Sequence, residues 1–192
     1  QNEEITVTCD SRTKIEEGLF IAGEGGPTNI TQAGEFNVIS KGKILLLKES
    51  KCPNPNIGLH ELMHVLGFDH VENPNDLMYP VSKCDQELNP IMISLINNLY
   101  SISSYPDLKI EEAGAVMNGK YLDVNLTVRN TGLNIAPKTS VKIYADEKLV
   151  KDLVIDSLEI GHGRVVTLTN VWVPKLNINQ IILIIDADTD EL

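Results

Sequence analysis

Three of the chain's four histidines and one glutamate fall within eleven residues, His60 to His70, reading HELMHVLGFDH. On a helix, residues four apart stack on one face, so His60 and His64 aim imidazole nitrogens at a single metal ion. Glu61 lies one step round from His60, near enough to reach a water on that ion and aimed away from the ion itself. Gly67, three residues after His64, can take a left-handed conformation and end the helix, so the chain turns back and His70 brings a third nitrogen. Three imidazoles leave a fourth tetrahedral position open, the arrangement of a catalytic rather than a structural site, and neutral imidazole suits zinc. The chemistry expected is hydrolysis: zinc polarises a water and a carbonyl, while Glu61, as general base, takes the water's proton and passes it to the leaving amine.

Asn54 is placed to cap the helix and Pro55 suits its first position, with Ile57, Leu62, Val65 and Leu66 supplying apolar residues up to Gly67. Ahead of it, Ile5 to Cys9, Glu35 to Ser40 and Lys43 to Lys48 are strand-like, with Gly42 in a turn between the last two, and predict a small twisted sheet. GEGG at Gly23 to Gly26 lacks the Lys-Ser/Thr of a phosphate loop and reads as a turn-rich loop. Downstream, Asn89 and Pro90 open a helix through Ile91, Met92, Leu95, Ile96 and Leu99, whose periodic apolar residues are expected to face the core. Cys52 and Cys84 bracket the histidine helix. A disulfide between them would close that segment and stabilise it by ~3–4 kcal/mol; two buried thiols are the alternative. Cys9 is left over, either a buried thiol or the partner of an upstream cysteine.

HELMHVLGFDH followed by NDLMYP, Asn75 to Pro80, resembles the metzincin clan of zinc peptidases, whose mark is this extended motif followed by a Met-turn. Met-Tyr-Pro and Asp69 are most similar to the matrixin group within it. The resemblance covers Cys52 to about Tyr105. It implies a peptide-bond hydrolase with one catalytic zinc, Met78 as an apolar floor beneath the ligands, and Pro80, Val81 and Ser82 as a wall of the pocket that receives a bulky apolar side chain after the scissile bond. It also implies substrate binding by strand addition along an edge strand within Glu35 to Ser40, and raises the question of a cysteine switch at Cys9, which lacks the surroundings of that motif. The early helix and histidine-bearing loop usual in matrixins are not evident, and no histidine precedes His60.

SISSYPD, residues 101 to 107, shifts composition between a helical stretch and a run of strand patterns, and marks a boundary between domains at 1–104 and 107–192. Beyond it alternation takes over. Leu122, Val124, Leu126 and Val128 face one way, Val141, Ile143 and Ala145 repeat the pattern, and Leu149 to Ile155, Val165 to Val173 and Ile181 to Ile185 complete about six strands, a β-sandwich. PDLKI, VRNTGLNIAP, IYADEKLV and IIDADTDE, in that order, resemble the CARDB-type immunoglobulin-like domain of prokaryotic surface proteins, which implies an adhesion, spacer or substrate-positioning module. Asp186, Asp188 and Asp190 alternate as calcium ligands do, but lack the later glycine and glutamate of an EF-hand loop. Trp172 is expected as a core anchor of the sandwich and His162, between two glycines, in a surface turn.

The formal net charge of -11 disfavours nucleic acid and anionic membranes as partners, because both repel it. No apolar run reaches membrane-spanning length. No signal peptide opens the string, and a chain beginning at Gln1 leaves room for a leader, anchor or pro-segment ahead of it. The sequons at Asn29 and Asn125 are compatible with secretion. The expected fold class is therefore α+β, a small metzincin-like zincin domain followed by an all-β immunoglobulin-like sandwich, extracellular or at the cell surface. The expected function is a zinc-dependent endopeptidase acting on extended protein segments, with the sandwich available to a cell-surface partner. The alternatives are a surface adhesion or binding protein with a vestigial metal site, and a zinc hydrolase of non-peptide amides or esters.

Overall fold

In a computed structural model, residues 4–16, 18–47, 49 and 51–186 are described. The chain divides into two compact units, Gln1–Thr31 with Val38–Ile102, and Gln32–Asn37 with Ser103–Leu192.

The first unit is built on a three-stranded sheet of order β1-β5-β4. β1 (Glu4–Cys9) runs parallel to β5 (Phe36–Leu46), from Glu4 opposite Lys41 to Cys9 opposite Leu46, and β4 (Gly23–Ala33) is the other edge. β2 (Ile15–Glu16) and β3 (Leu19–Phe20) form a small antiparallel ribbon. Two short helices follow, α1 (Asn56–Val65) and α2 (Pro90–Tyr100).

Several expectations for this unit need correction. Glu35 to Ser40 and Lys43 to Lys48 are not two strands about a turn at Gly42; Phe36–Leu46 is one strand. Gly42 is buried within it because α1 packs there: a β-carbon at Gly42 would lie 2.2 Å from Val65 Cγ1. The glycine marks a close approach rather than a turn. β1 pairs with Lys41 to Leu46 of β5, so the stretch from Phe36 to Ser40 lies outside that register among the described residues, as an edge segment would. GEGG is not a loop but the start of β4. α1 begins at Asn56, one residue later than expected, with Pro55 at its N-cap and no side-chain cap from Asn54. Asn56 instead turns inward, donating to the Lys83 carbonyl at 2.9 Å and the Gln86 carbonyl at 3.3 Å. α2 does start as Asn89-Pro90 predicts, Asn89 accepting from the Ile91 amide at 2.9 Å. Yet it has no buried residue, and Ile91 is 69% exposed, so its apolar periodicity does not face a core.

The second unit is a sandwich of two three-stranded antiparallel sheets. β6 (Leu108–Asn118), β7 (Tyr121–Asn130) and β10 (Gly163–Trp172) give order β10-β7-β6; β8 (Thr139–Ala145), β9 (Lys148–Ile155) and β11 (Ile181–Asp186) give order β11-β8-β9. Strand alternation builds the core. Leu122, Val124, Leu126 and Val128 of β7 point inward and meet Val141, Ile143 and Ile155 from the other sheet in one buried cluster. Each such side chain contributes roughly 1.5–3 kcal/mol of apolar burial. Asn130, fully buried, ties the loops at one end. Its amide donates to the carbonyls of Asn134 and Leu158, and its oxygen accepts from the amide of Gly132. Trp172 is corrected here: it is 55% exposed, while its neighbour Val173 is the buried residue, because strand alternation puts Trp172 on the outer face. His162 is exposed after Gly161, which has φ of +70°.

The expectation of an α+β chain gives way to a mostly β molecule with two short helices. No helix among the described residues is long and apolar enough to cross a membrane.

Candidate metal centre

The site is assembled by α1 and the segment that follows it. His60 and His64 lie one turn apart on α1, and Gly67, at φ of +90°, reverses the chain. His70 then returns to them. The three Nε2 atoms stand 3.1, 3.1 and 3.2 Å from one another. Two nitrogens bound at ~2.0–2.1 Å to one tetrahedral ion would stand roughly 3.3 Å apart, so the donor set fits zinc. Two of the rings are held from behind. His60 Nδ1–H donates to the Leu77 carbonyl at 2.6 Å and His64 Nδ1–H to the Phe68 carbonyl at 2.8 Å. Each bond fixes the tautomer that leaves Nε2 with its lone pair toward the common point. Burial also pushes the His60 and His70 imidazoles below their usual range, with repulsion from His64 acting in the same direction. Both are thus kept in the neutral, ligating form.

Glu61 is 6% exposed. Desolvation raises its carboxyl pKa, and Glu24 adds to the rise, against the opposing pull of His64 and of a hydrogen bond donated by the Gly25 amide. A raised pKa makes the carboxylate a stronger proton acceptor. β4 presses directly on this residue. A β-carbon at Gly25 would lie 2.2 Å from the Glu61 backbone oxygen, and one at Gly23 would lie 2.8 Å from the Glu61 side chain. Gly23 and Gly25 are therefore site residues that reading GEGG as a loop misses. The signal available was the pair of glycines at strand alternation, which marks a close backbone approach.

Met78 is fully buried in the turn after the third histidine, its amide donating to Asp76 Oδ1 at 2.9 Å and its carbonyl accepting from Val71. That turn also supplies the Leu77 carbonyl that holds His60. Pro80, Val81 and Ser82 follow on the surface, Val81 at 42% exposure, with the Val81 carbonyl accepting from Gln86. A cleft of about 260 Å³ is lined by Glu24, Gly25, Gly26, Pro27 and Thr28 of β4 with Lys43 and Leu45 of β5, so it shares Glu24 and Gly25 with the surroundings of Glu61.

Cys52 and Cys84 are joined in a disulfide that closes the whole site segment. Cys9 is an exposed free thiol, not a buried one. Of the calcium candidates, Asp188 and Asp190 and the side chain of Asp186 lie outside the described residues. Among the described residues His60, His64 and His70 form the one group able to hold a metal ion.

No curated protein and no solved structure matches the chain. The resemblance to metzincins and matrixins is corrected by the comparison of families, which finds no metzincin family, and by an N-terminal unit of strands with two short helices rather than a zincin domain. The family whose model matches is CARDB, over residues 105–191, in keeping with the immunoglobulin-like β-sandwich of the second unit.

Proposed function

We propose that the chain joins a binding module, the β-sandwich, to a metal-dependent hydrolytic centre in the first unit. The family match weighs toward the binding role, in which the metal site is vestigial. One observation carries the hydrolytic role beyond that: three Nε2 atoms converge within 3.2 Å beside a buried, desolvated Glu61. A site without chemistry has no use for a buried carboxylate beside three neutral imidazoles, because an uncompensated buried charge is costly.

When bound, a zinc ion supplies Lewis acidity to a water and a substrate carbonyl. His60, His64 and His70 hold it, and the carbonyls of Leu77 and Phe68 keep two of those rings in register. Glu61 accepts the proton of the attacking water and delivers it to the leaving amine. Its Gly25 hydrogen bond orients the carboxylate, and the edge strand β4 offers extended peptide a pairing partner beside it. The substrate class is thus an amide bond in an extended protein segment, at the cell surface or outside the cell.

The test is mass-spectrometric cleavage of a diverse peptide library by the zinc-loaded full chain. Glu61→Ala should lower turnover by roughly 10²–10⁴ while metal content by inductively coupled plasma mass spectrometry stays at one ion per chain. His64→Ala should lose metal and activity together. No cleavage at full zinc occupancy would leave the binding role alone. That role has its own measurement: the full chain should co-sediment with cell-envelope material equally with and without chelator.

A further inference from the structure

We propose that the outer face of the β10-β7-β6 sheet is a glycan-binding surface, with Trp172 and Tyr121 as its stacking platform and a neutral polysaccharide as its ligand. The inference rests on the binding role given to the sandwich and names the face and the ligand class. Trp172 and Tyr121 are directly opposite each other in the β10–β7 register, 55% and 47% exposed. Two large aromatic side chains on opposed, solvent-facing register positions are costly to leave bare, and Trp and Tyr combine an apolar plane with a polar edge. The same face continues along β7 through Asp123 and Asn125, about 13 Å from Tyr121 to Asn125 at strand rise, and across to Thr167, which donates to Asn125 Oδ1 at 3.0 Å. That bond fixes the Asn125 amide and leaves its two N–H groups without a partner among the described residues.

Two carboxylates on this face are engaged within the protein. Asp123 accepts from Asn118 at 3.0 Å and from the Asn170 amide at 2.8 Å, and Glu111 pairs with Arg129 at 2.8 Å. Besides Val116 and Val165, 60% and 67% exposed, and Lys109 and Glu112, which register places on the same face, a ligand beside Tyr121 and Trp172 meets aromatic side chains, amides and hydroxyls. Those groups recognise a pyranose ring, whose C–H face packs on an aromatic plane while its hydroxyls exchange hydrogen bonds with Asn and Thr. A net charge of -11 selects against polyanions, single-stranded nucleic acid included, so the stacking surface suits an uncharged polymer.

Trp172 is the chain's single tryptophan, so its emission reads the site directly. The full chain is titrated with hexasaccharides of glucose, mannose, xylose and N-acetylglucosamine, and affinity electrophoresis is run through the corresponding polysaccharides. The expected result is a saturable emission shift with at least one sugar. Retardation by that polymer should weaken about tenfold or more in Trp172→Ala and Tyr121→Ala, recover in Trp172→Phe, and be unchanged in Val154→Ala, an exposed apolar residue of the other sheet. Retardation that survives both alanine variants would overturn the assignment to this face while leaving the binding role in place. No shift and no retardation with any of the four sugars, in a chain still retained on cell envelopes, would overturn the ligand class. Absence of retention on envelopes as well would remove the binding role on which the inference rests.

Discussion

Three imidazole nitrogens within 3.2 Å of one another cannot all be satisfied by hydrogen bonds when two of the rings already spend their Nδ1 protons on the Leu77 and Phe68 carbonyls. Their lone pairs repel unless an ion joins them. Burial, with repulsion between the imidazoles added to it, sets the pH response of the metal-free chain. His60 and His70 have lowered pKa values in the fold and the ordinary value of about 6.5 in the unfolded chain, so below that value the unfolded state binds more protons and stability falls as pH drops. Glu61 has the opposite sign: its folded pKa is raised from 4.5, so the fold binds the extra proton and loses stability as pH rises through that window. The urea midpoint of metal-free Glu61→Gln should therefore fall more steeply on acidification through pH 6.5 than that of the wild-type chain. An identical slope in metal-free His60→Ala and wild type would contradict the assignment.

Helix α1 is held in place by glycines rather than by its own caps. Gly42 of β5 admits Val65, and Gly25 of β4 admits the backbone of Glu61. Gly42→Ala should cost about 1–3 kcal/mol by overpacking and shift α1 with its two histidines, weakening zinc affinity; a denaturant midpoint and metal affinity equal to wild type would show that the helix tolerates the methyl. The Cys52–Cys84 disulfide restrains the same segment from outside, spanning 32 positions of sequence. Cys84→Ser should lower stability by ~3–4 kcal/mol through the released loop entropy, measured by urea unfolding against the wild-type chain under oxidising conditions. These elements also divide what was legible. The ligand spacing His60, His64, His70 and the φ of Gly67 follow from local geometry, and the sequence states them outright. The inward alternation of β7 is equally local. The order β1-β5-β4, the packing of Gly25 on Glu61 and the solvent exposure of α2 depend on which segments meet, and a period of apolar residues does not encode its partner. Trp172 illustrates the same point within one strand: a register offset of one residue exchanges it with Val173 between core and surface.

In the whole molecule, the candidate metal ligands and the buried cluster of the sandwich belong to different units of the chain. Leu126 is 1% exposed at the centre of the sandwich core, and Leu126→Ala should cost about 2–5 kcal/mol, the sum of lost transfer energy and the cavity left behind. The single tryptophan reports on that loss, because Trp172 lies on β10, paired to the strand that carries Leu126. On the proposed reading zinc would act on the other unit by mass action, since only the folded three-histidine cluster has the ligands together. Leu126 contributes no ligand to the three-histidine cluster, so the two perturbations are expected to act independently. Leu126→Ala should lower the midpoint followed by Trp172 emission while zinc stoichiometry and affinity under native conditions remain those of wild type. If instead the variant binds zinc more weakly at a temperature where its tryptophan emission is still native, the metal centre depends on the sandwich core, and the division of labour between a hydrolytic unit and a binding unit would have to be abandoned.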